Sequence, residues 1–182
     1  MRVQKRDGTY DDVQFDKITA RIKYLSYDLN VDPSVIAQKV CGQLIDGIAT
    51  SALDEISAAS SIACFTIHPD YTILGGRILV DNHKKNTPST LLEATRLLTH
   101  ILHPEYVELV EKHHDVYEKM IDYDRDVLID YFGLKTLQKS YLLRKDGRNV
   151  ERPQHMWMRV AIFLHKDNFE EIKKTYDALS QK

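Results

Sequence analysis

Val3-Gln4-Lys5-Arg6-Asp7-Gly8-Thr9-Tyr10-Asp11-Asp12-Val13, followed by Gln14-Phe15-Asp16-Lys17-Ile18, decides how the first half of this chain folds. Asp7-Gly8 is a favoured two-residue hairpin turn, because glycine takes the positive φ of a primed turn without a Cβ clash. Residues 3–13 are therefore expected to pair as two short antiparallel strands. Phe15, Ile18, Ile22, Leu25 and Leu29 then recur at helical spacing, which turns one stripe of a first helix toward a core.

Working outward, Asp32-Pro33 starts a second helix: Asp accepts from free amides and Pro fits the first turn. Its stripe runs through Ile36, Val40, Leu44 and Ile48. Thr50-Ser51 precedes a third helix whose middle, Ala58-Ala59-Ser60-Ser61, is small enough to let a neighbour approach closely. Pro69-Asp70-Tyr71 opens a fourth, with Tyr71, Leu74, Ile78 and Leu79 inward. This unit is expected to end near Asn86-Thr87-Pro88.

Beyond Pro88 the pattern is again helical. Leu91, Leu92, Leu97, Leu98 and Ile101 form a stripe, His103-Pro104 interrupts it, and a second helix covers roughly 105–121. A shorter element surrounds Asp124–Tyr131 and is closed by Phe132-Gly133. Residues 141–150 read as a second Asp-Gly hairpin, Pro153 starts a helix reaching His165, and Asp167 with Glu170 resembles a capping box for the last helix. The segments after the two hairpins differ from each other, which argues against an internal repeat. The fold class expected is mainly α (α+β), with four helices capped by a small β-sheet over residues 1–87. A helical region with a β-hairpin comes next, over residues 88–182.

Composition narrows the function classes. With 43% hydrophobic and 29% charged residues, 182 residues suit a soluble globular chain. The formal charge of −2 is spread evenly, so no basic face offers itself to a nucleic acid. No run approaches the roughly 20 apolar residues of a membrane span, and the opening is unlike a secretory leader. Cys41 and Cys64 cannot build a disulfide framework, so they read as reduced thiols of an intracellular protein. His100 and His103 share a helical face without an evident third ligand, and a zinc site needs more.

The informative side chains are cations. Lys5 and Arg6 sit before the hairpin turn, Lys17 and Arg21 lie one helical turn apart, and Lys84 and Lys85 end the fourth helix. Three or four cations meeting at one point would suit a triphosphate. Charge-assisted hydrogen bonds contribute about 1.5–3 kcal/mol each, and micromolar binding needs roughly 8 kcal/mol. Spacing alone favours scattered, solvated surface lysines and does not settle the matter.

The motifs go further. Val3–Gly8 with Val13-Gln14-Phe15-Asp16-Lys17-Ile18 resembles the opening of the ATP-cone domain, and His68-Pro69-Asp70-Tyr71, Leu74, Arg77 and Lys84-Lys85 resemble its closing helix. Asp122–Asp126, Tyr131–Leu137, Ser140–Leu143 and above all Glu151-Arg152-Pro153-Gln154-His155-Met156 with Met158-Arg159-Val160 resemble class I, eukaryotic-type ribonucleotide reductase large subunits. The resemblance implies that Lys5 and Arg6 contact effector phosphates, joined by Lys17, Thr50 and Lys85. It implies that Asp11 accepts from the adenine amino group, one methylene shorter than the family's Glu, and that backbone groups around Asp12, Val13, Gln14, Phe15 and Asp16 flank the base. Asp54 would lie near the ribose and help distinguish ATP from dATP. Asp16 is either a helix cap or part of a cone–cone contact.

By the same resemblance the effector is ATP or dATP, with or without Mg2+, and this chain carries no catalytic cofactor. The partners implied are the remainder of the large subunit, the radical-generating small subunit, and a second cone by self-association, in the cytoplasm. The family's barrel and catalytic cysteines have no counterpart up to Ser180-Gln181-Lys182, so the chain is expected to be inactive by itself. Two other readings remain: a cone-containing transcriptional repressor, whose four-cysteine zinc ribbon has no match here, and a non-catalytic assembly protein.

Overall fold

The computed structural model describes residues 1–181; Lys182, the last residue of the expected 88–182 region, lies outside them. The chain divides into two compact units, Met1–Asn82 with Asp130–Leu134, and His83–Ile129 with Lys135–Lys182.

In the first unit β1 (Arg2–Gln4) pairs antiparallel with β2 (Tyr10–Asp12), Val3 standing opposite Asp11. The turn between them differs from the expected two-residue form. Gly8 N donates to Lys5 O at 3.0 Å and Lys5 N to Thr9 O at 2.8 Å, which makes Arg6-Asp7-Gly8 a three-residue loop. Only Gly8 takes positive φ there (+86°), as the last position of such a loop requires. Asp7 is occupied instead as an acceptor from Thr9 N (2.9 Å) and Thr9 Oγ1 (2.6 Å).

Helix α1 (Phe15–Leu25) buries Ile22 and Leu25. Phe15, however, is 51% exposed, and Leu29 lies past the helix end, where Asp28 takes positive φ. α2 (Pro33–Cys41) is capped as expected, with Asp32 accepting from Ser34 N. It stops at Cys41, so the apparent stripe through Leu44 to Ile48 is coincidental. Ile48 belongs to β3 (Ile48–Ala49), a strand parallel to β1 that completes the sheet order β2-β1-β3. Two residues are too few for an alternation signal, so the sequence pattern does not reveal this strand.

α3 spans Thr50–Ile62, making Thr50 the first helical residue, with Ala49 at the cap position. α4 (Asp70–Lys85) buries Tyr71, Leu74, Ile78 and Leu79. The two helices meet closely: a Cβ added at Gly75 would stand 3.0 Å from Ala58 O. Arg77 closes the other side, donating to Leu25 O and Tyr27 O while its guanidinium stacks 3.8 Å over the Tyr27 ring.

The division between the units falls inside α4 because its last turn bonds within the second unit. His83 Nε2 lies 3.0 Å from Glu151 O, and Lys84 Nζ donates to Tyr123 O at 3.4 Å.

The second unit contains α5 (Leu91–Leu97), α6 (Pro104–Met120), a 3-10 turn (Tyr123–Leu128) and most of α7 (Tyr131–Ser140). A hairpin of β4 (Arg144–Lys145) and β5 (Arg148–Asn149) comes next, then α8 (Pro153–His165) and α9 (Phe169–Ser180). Here Asp146 and Gly147 both take positive φ, the two-residue primed turn expected. Phe132-Gly133, expected to close an element, instead lies in the first turn of α7, with Asp130 accepting from Gly133 N at 2.6 Å. The last helix is capped one residue late, by Asn168 accepting from Glu171 N. In the α5 stripe Leu91 and Leu98 are buried, whereas Leu97 and Ile101 are exposed.

Tyr117, Met158, Ile162, Ile172 and Tyr176 form the core of this unit, each contributing on the order of 1.5–3 kcal/mol through burial. The Glu151–Met156 stretch owes its residue types to that core. Glu151 holds Arg159 through both carboxylate oxygens (2.6 and 3.0 Å), Gln154 donates to Asp126, and His155 meets the Tyr123 hydroxyl at 2.9 Å. Buried polar groups must find partners, and those of this motif find them in Arg159 and in Tyr123 and Asp126 of the 3-10 turn. Among the described residues no helix is long and apolar enough to cross a membrane.

Candidate functional site

A cavity of about 210 Å³ opens in the first unit between the hairpin, α1 and α3. Its floor is aliphatic, made by Val3, Ile18, Ile22, Leu53 and Ile78. Its rim is polar. The hairpin supplies Lys5, Arg6, Asp11, Asp12 and Val13; α1 and its cap supply Gln14, Lys17 and Arg21; α3 supplies Thr50 and Asp54. An apolar floor with a few converging polar groups is the usual build of a small-molecule site.

Of the residues expected at the site, Phe15, Asp16 and Lys85 do not line the cavity. Helix geometry explains the first two. Gln14, Lys17, Ile18, Arg21 and Ile22 succeed one another at three- and four-residue intervals and share a face, while Phe15 and Asp16 lie off it. Nor is Asp16 the cap: Gln14 holds that position, and Asp16 sits in the first turn, where a carboxylate complements the helix dipole. Lys85 stands in the last turn of α4, which counts with the second unit. In the same turn Lys84 Nζ donates to Tyr123 O of that unit.

The rim is internally paired. Lys5 Nζ contacts Asp11 Oδ2 at 2.8 Å, which holds the Asp11 carboxyl below its ordinary range and the Lys5 ammonium above its own. Lys17 adds to the effect on Asp11 from the facing helix. Deeper in, Asp54 is 6% exposed and held from both sides. Arg6 Nη2 donates to its Oδ2 at 2.9 Å, and Arg21 Nε donates to its Oδ1 at 2.7 Å. Arg6 also reaches Asn82 Oδ1 at 2.7 Å, and Arg21 reaches Asp81 Oδ2 at 2.5 Å. The cavity thus sets four cations, Lys5, Arg6, Lys17 and Arg21, beside three carboxylates, Asp11, Asp12 and Asp54.

Residues 1–86 match the model of the ATP cone domain, and residues 127–182 match that of the ribonucleotide reductase all-alpha domain. The chain joins an ATP cone to a ribonucleotide reductase all-alpha domain. Along its whole length it is similar to ribonucleoside-diphosphate reductase large subunits, with 43% identity to that of Arabidopsis thaliana. Identity is 41% to the large chain of Schizosaccharomyces pombe and 41% to the large subunit of vaccinia virus. The aligned part is their N-terminal region, and the chain spans about a quarter of their length (24–25%).

An ATP cone indicates binding of a nucleotide effector, and the paired cavity lies wholly within the residues of this cone. The aliphatic floor is hidden in the sequence because Val3, Ile18, Ile22, Leu53 and Ile78 have the spacing of ordinary core. Arg21 belongs to the cation cluster that the sequence shows, yet only the structure brings it to the site. Its spacing of four from Lys17 is the signal that could have placed it there. Among the described residues no group of three or more His, Cys, Asp or Glu side chains could hold a metal ion.

Proposed function

We propose that this chain senses ATP and dATP for a ribonucleoside-diphosphate reductase, binding the nucleotide in the cone cavity and regulating overall activity through nucleotide-dependent assembly. The observation that carries this is the convergence of Lys5, Arg6, Lys17 and Arg21 on a cavity that also presents Asp11, Thr50 and Asp54. The phosphates would take Lys5, Arg6 and Lys17, and Thr50 adds a hydroxyl at a helix start. The adenine amino group would be accepted by Asp11, the ring would lie on the aliphatic floor near Asp12, Val13 and Gln14, and the sugar would face Asp54. A donor set of this kind fits a triphosphate with or without Mg2+.

Existing ion pairs must be exchanged as the nucleotide enters. Lys5 leaves Asp11 as it meets phosphate, which opens Asp11 to the base. Three or four charge-assisted bonds at about 1.5–3 kcal/mol each are ample for micromolar affinity even after such exchange. A ligand shifts an assembly equilibrium only by its differential affinity for the two states. The small chemical difference between ATP and dATP therefore suffices only if the assembled and open forms hold the sugar differently.

The proposed partners are the remainder of a large subunit, the radical-generating small subunit, and a second cone; the proposed compartment is the cytoplasm. Reduction of the ribose would be the work of the remainder, this portion carrying regulation without a catalytic cofactor. Isothermal titration with ATP and dATP tests the reading. The wild-type chain should release or absorb heat at a single site, and Lys5→Ala with Arg6→Ala should abolish it. A wild-type chain inert to both nucleotides would refute sensing and favour a cone kept for assembly alone.

A further inference from the structure

Asp54 cannot serve the sugar while both of its oxygens are taken. Its carboxylate is nearly buried, with Oδ2 held by Arg6 and Oδ1 by Arg21. A buried carboxylate stripped of partners is strongly destabilising, so one guanidinium must stay if the other leaves.

The two arginines differ in how they are anchored. Arg6 sits in the three-residue hairpin loop, lines the cavity, and holds one carboxylate, Asp54, and the neutral Asn82 Oδ1 at 2.7 Å. Arg21 projects from the middle of α1. It bridges two carboxylates on different helices, Asp54 on α3 at 2.7 Å through Nε and Asp81 on α4 at 2.5 Å through Nη2. Both arginines are held at two points, but Arg21 by two carboxylates from within a helix and Arg6 by one carboxylate and a neutral amide from a loop, so Arg21 keeps its place more readily.

Resting on the nucleotide reading proposed for this cavity, we infer that Arg21 is a positioning residue for sugar discrimination. When phosphate draws Arg6 off Asp54, Arg21 remains on Oδ1, fixes the carboxylate, and leaves Oδ2 open to accept from a ribose hydroxyl. The 2′ hydroxyl is the donor that ATP has and dATP lacks. Arg21 thereby acts through Asp54, without itself having to touch the sugar, and Asp81 is the post that holds it.

The test is calorimetric titration of the 182-residue chain with ATP and with dATP, comparing wild type with Arg21→Gln. Removing the clamp should weaken ATP at least threefold more than dATP, so the ratio Kd(ATP)/Kd(dATP) rises by that factor. Loss of a merely structural or general electrostatic contribution would lower both affinities alike and leave the ratio where it was. That result would overturn the inference. Should Arg21→Gln fail to fold, Asp81→Asn decides by the same ratio. Asp81 does not line the cavity, and its loss should raise the ratio at least twofold. A ratio unmoved in the folded variant, with wild type still binding, overturns this inference alone. A wild type that binds neither nucleotide overturns the sensing function and this inference together.

Discussion

His155 shows how one residue ties a sequence motif to the pH range of the fold. It is fully buried in α8, with Tyr123 Oη at 2.9 Å from Nε2 and the Arg152 amide near Nδ1. Burial, aided by the nearby Arg152 charge, pushes its pKa down to about 3 from the ordinary 6.5. The unfolded chain therefore takes up a proton that the native one refuses as pH falls below about 6.5. Linkage then requires stability to drop with falling pH, by up to ~1.4 kcal/mol per pH unit, until the native imidazole itself titrates. Urea melts at pH 7, 6, 5 and 4 should show this slope, and His155→Gln should flatten it. An equal slope in the variant would assign the acid sensitivity to other groups. The cavity residues obey a related logic: Lys5 and Asp11 are exposed enough that their pairing adds little to stability, which suits residues expected to change partners.

At the scale of elements, the α3–α4 contact is where small side chains matter most. Ala58 and Gly75 let the two helices approach until a Cβ at Gly75 would meet Ala58 O at 3.0 Å and the Ile62 side chain at 3.1 Å. In an exposed helix Gly→Ala gains about 1 kcal/mol. Here a backbone oxygen cannot move aside without shifting α3, and overpacking costs about 1–3 kcal/mol. Gly75→Ala should therefore be net destabilising, by up to roughly 2 kcal/mol, visible as a lower urea midpoint with unchanged m. Since Asp54 stands on α3 and Asp81 on α4, the same substitution should also weaken nucleotide binding by moving the two carboxylates that Arg21 bridges. A stabilised variant would show the contact to be looser than its geometry indicates.

For the molecule as a whole, ligand binding and folding are linked. A nucleotide that binds the folded cone and not the unfolded chain stabilises it by RT ln(1 + [L]/Kd), about 2.7 kcal/mol at one hundred times Kd. Because the cavity is built from β1, β2, α1, α3 and α4, this gain should appear in the amides of the first unit. Hydrogen exchange in saturating ATP should slow across residues 1–82, and the Lys5→Ala, Arg6→Ala variant should lose the protection. Protection confined to the second unit would move the binding site elsewhere.

The sequence by itself determined the helices, because their apolar residues recur at the helical period and Asp32-Pro33 and Pro153 mark where two of them start. It also determined the kinship, since the cone's opening and the Glu151–Met156 motif are contiguous in the chain. Tertiary structure decided what no local pattern encodes. The first hairpin's loop length depends on how Lys5 pairs with Thr9, and the two-residue β3 exists only because β1 lies beside it. Asp54, Arg6, Arg21 and Asp81 come from four separate segments, and packing alone brings their charges within hydrogen-bonding distance. Lys84 and Lys85 read as a simple pair at a helix end, and only the fold shows that α4's last turn counts with the second unit.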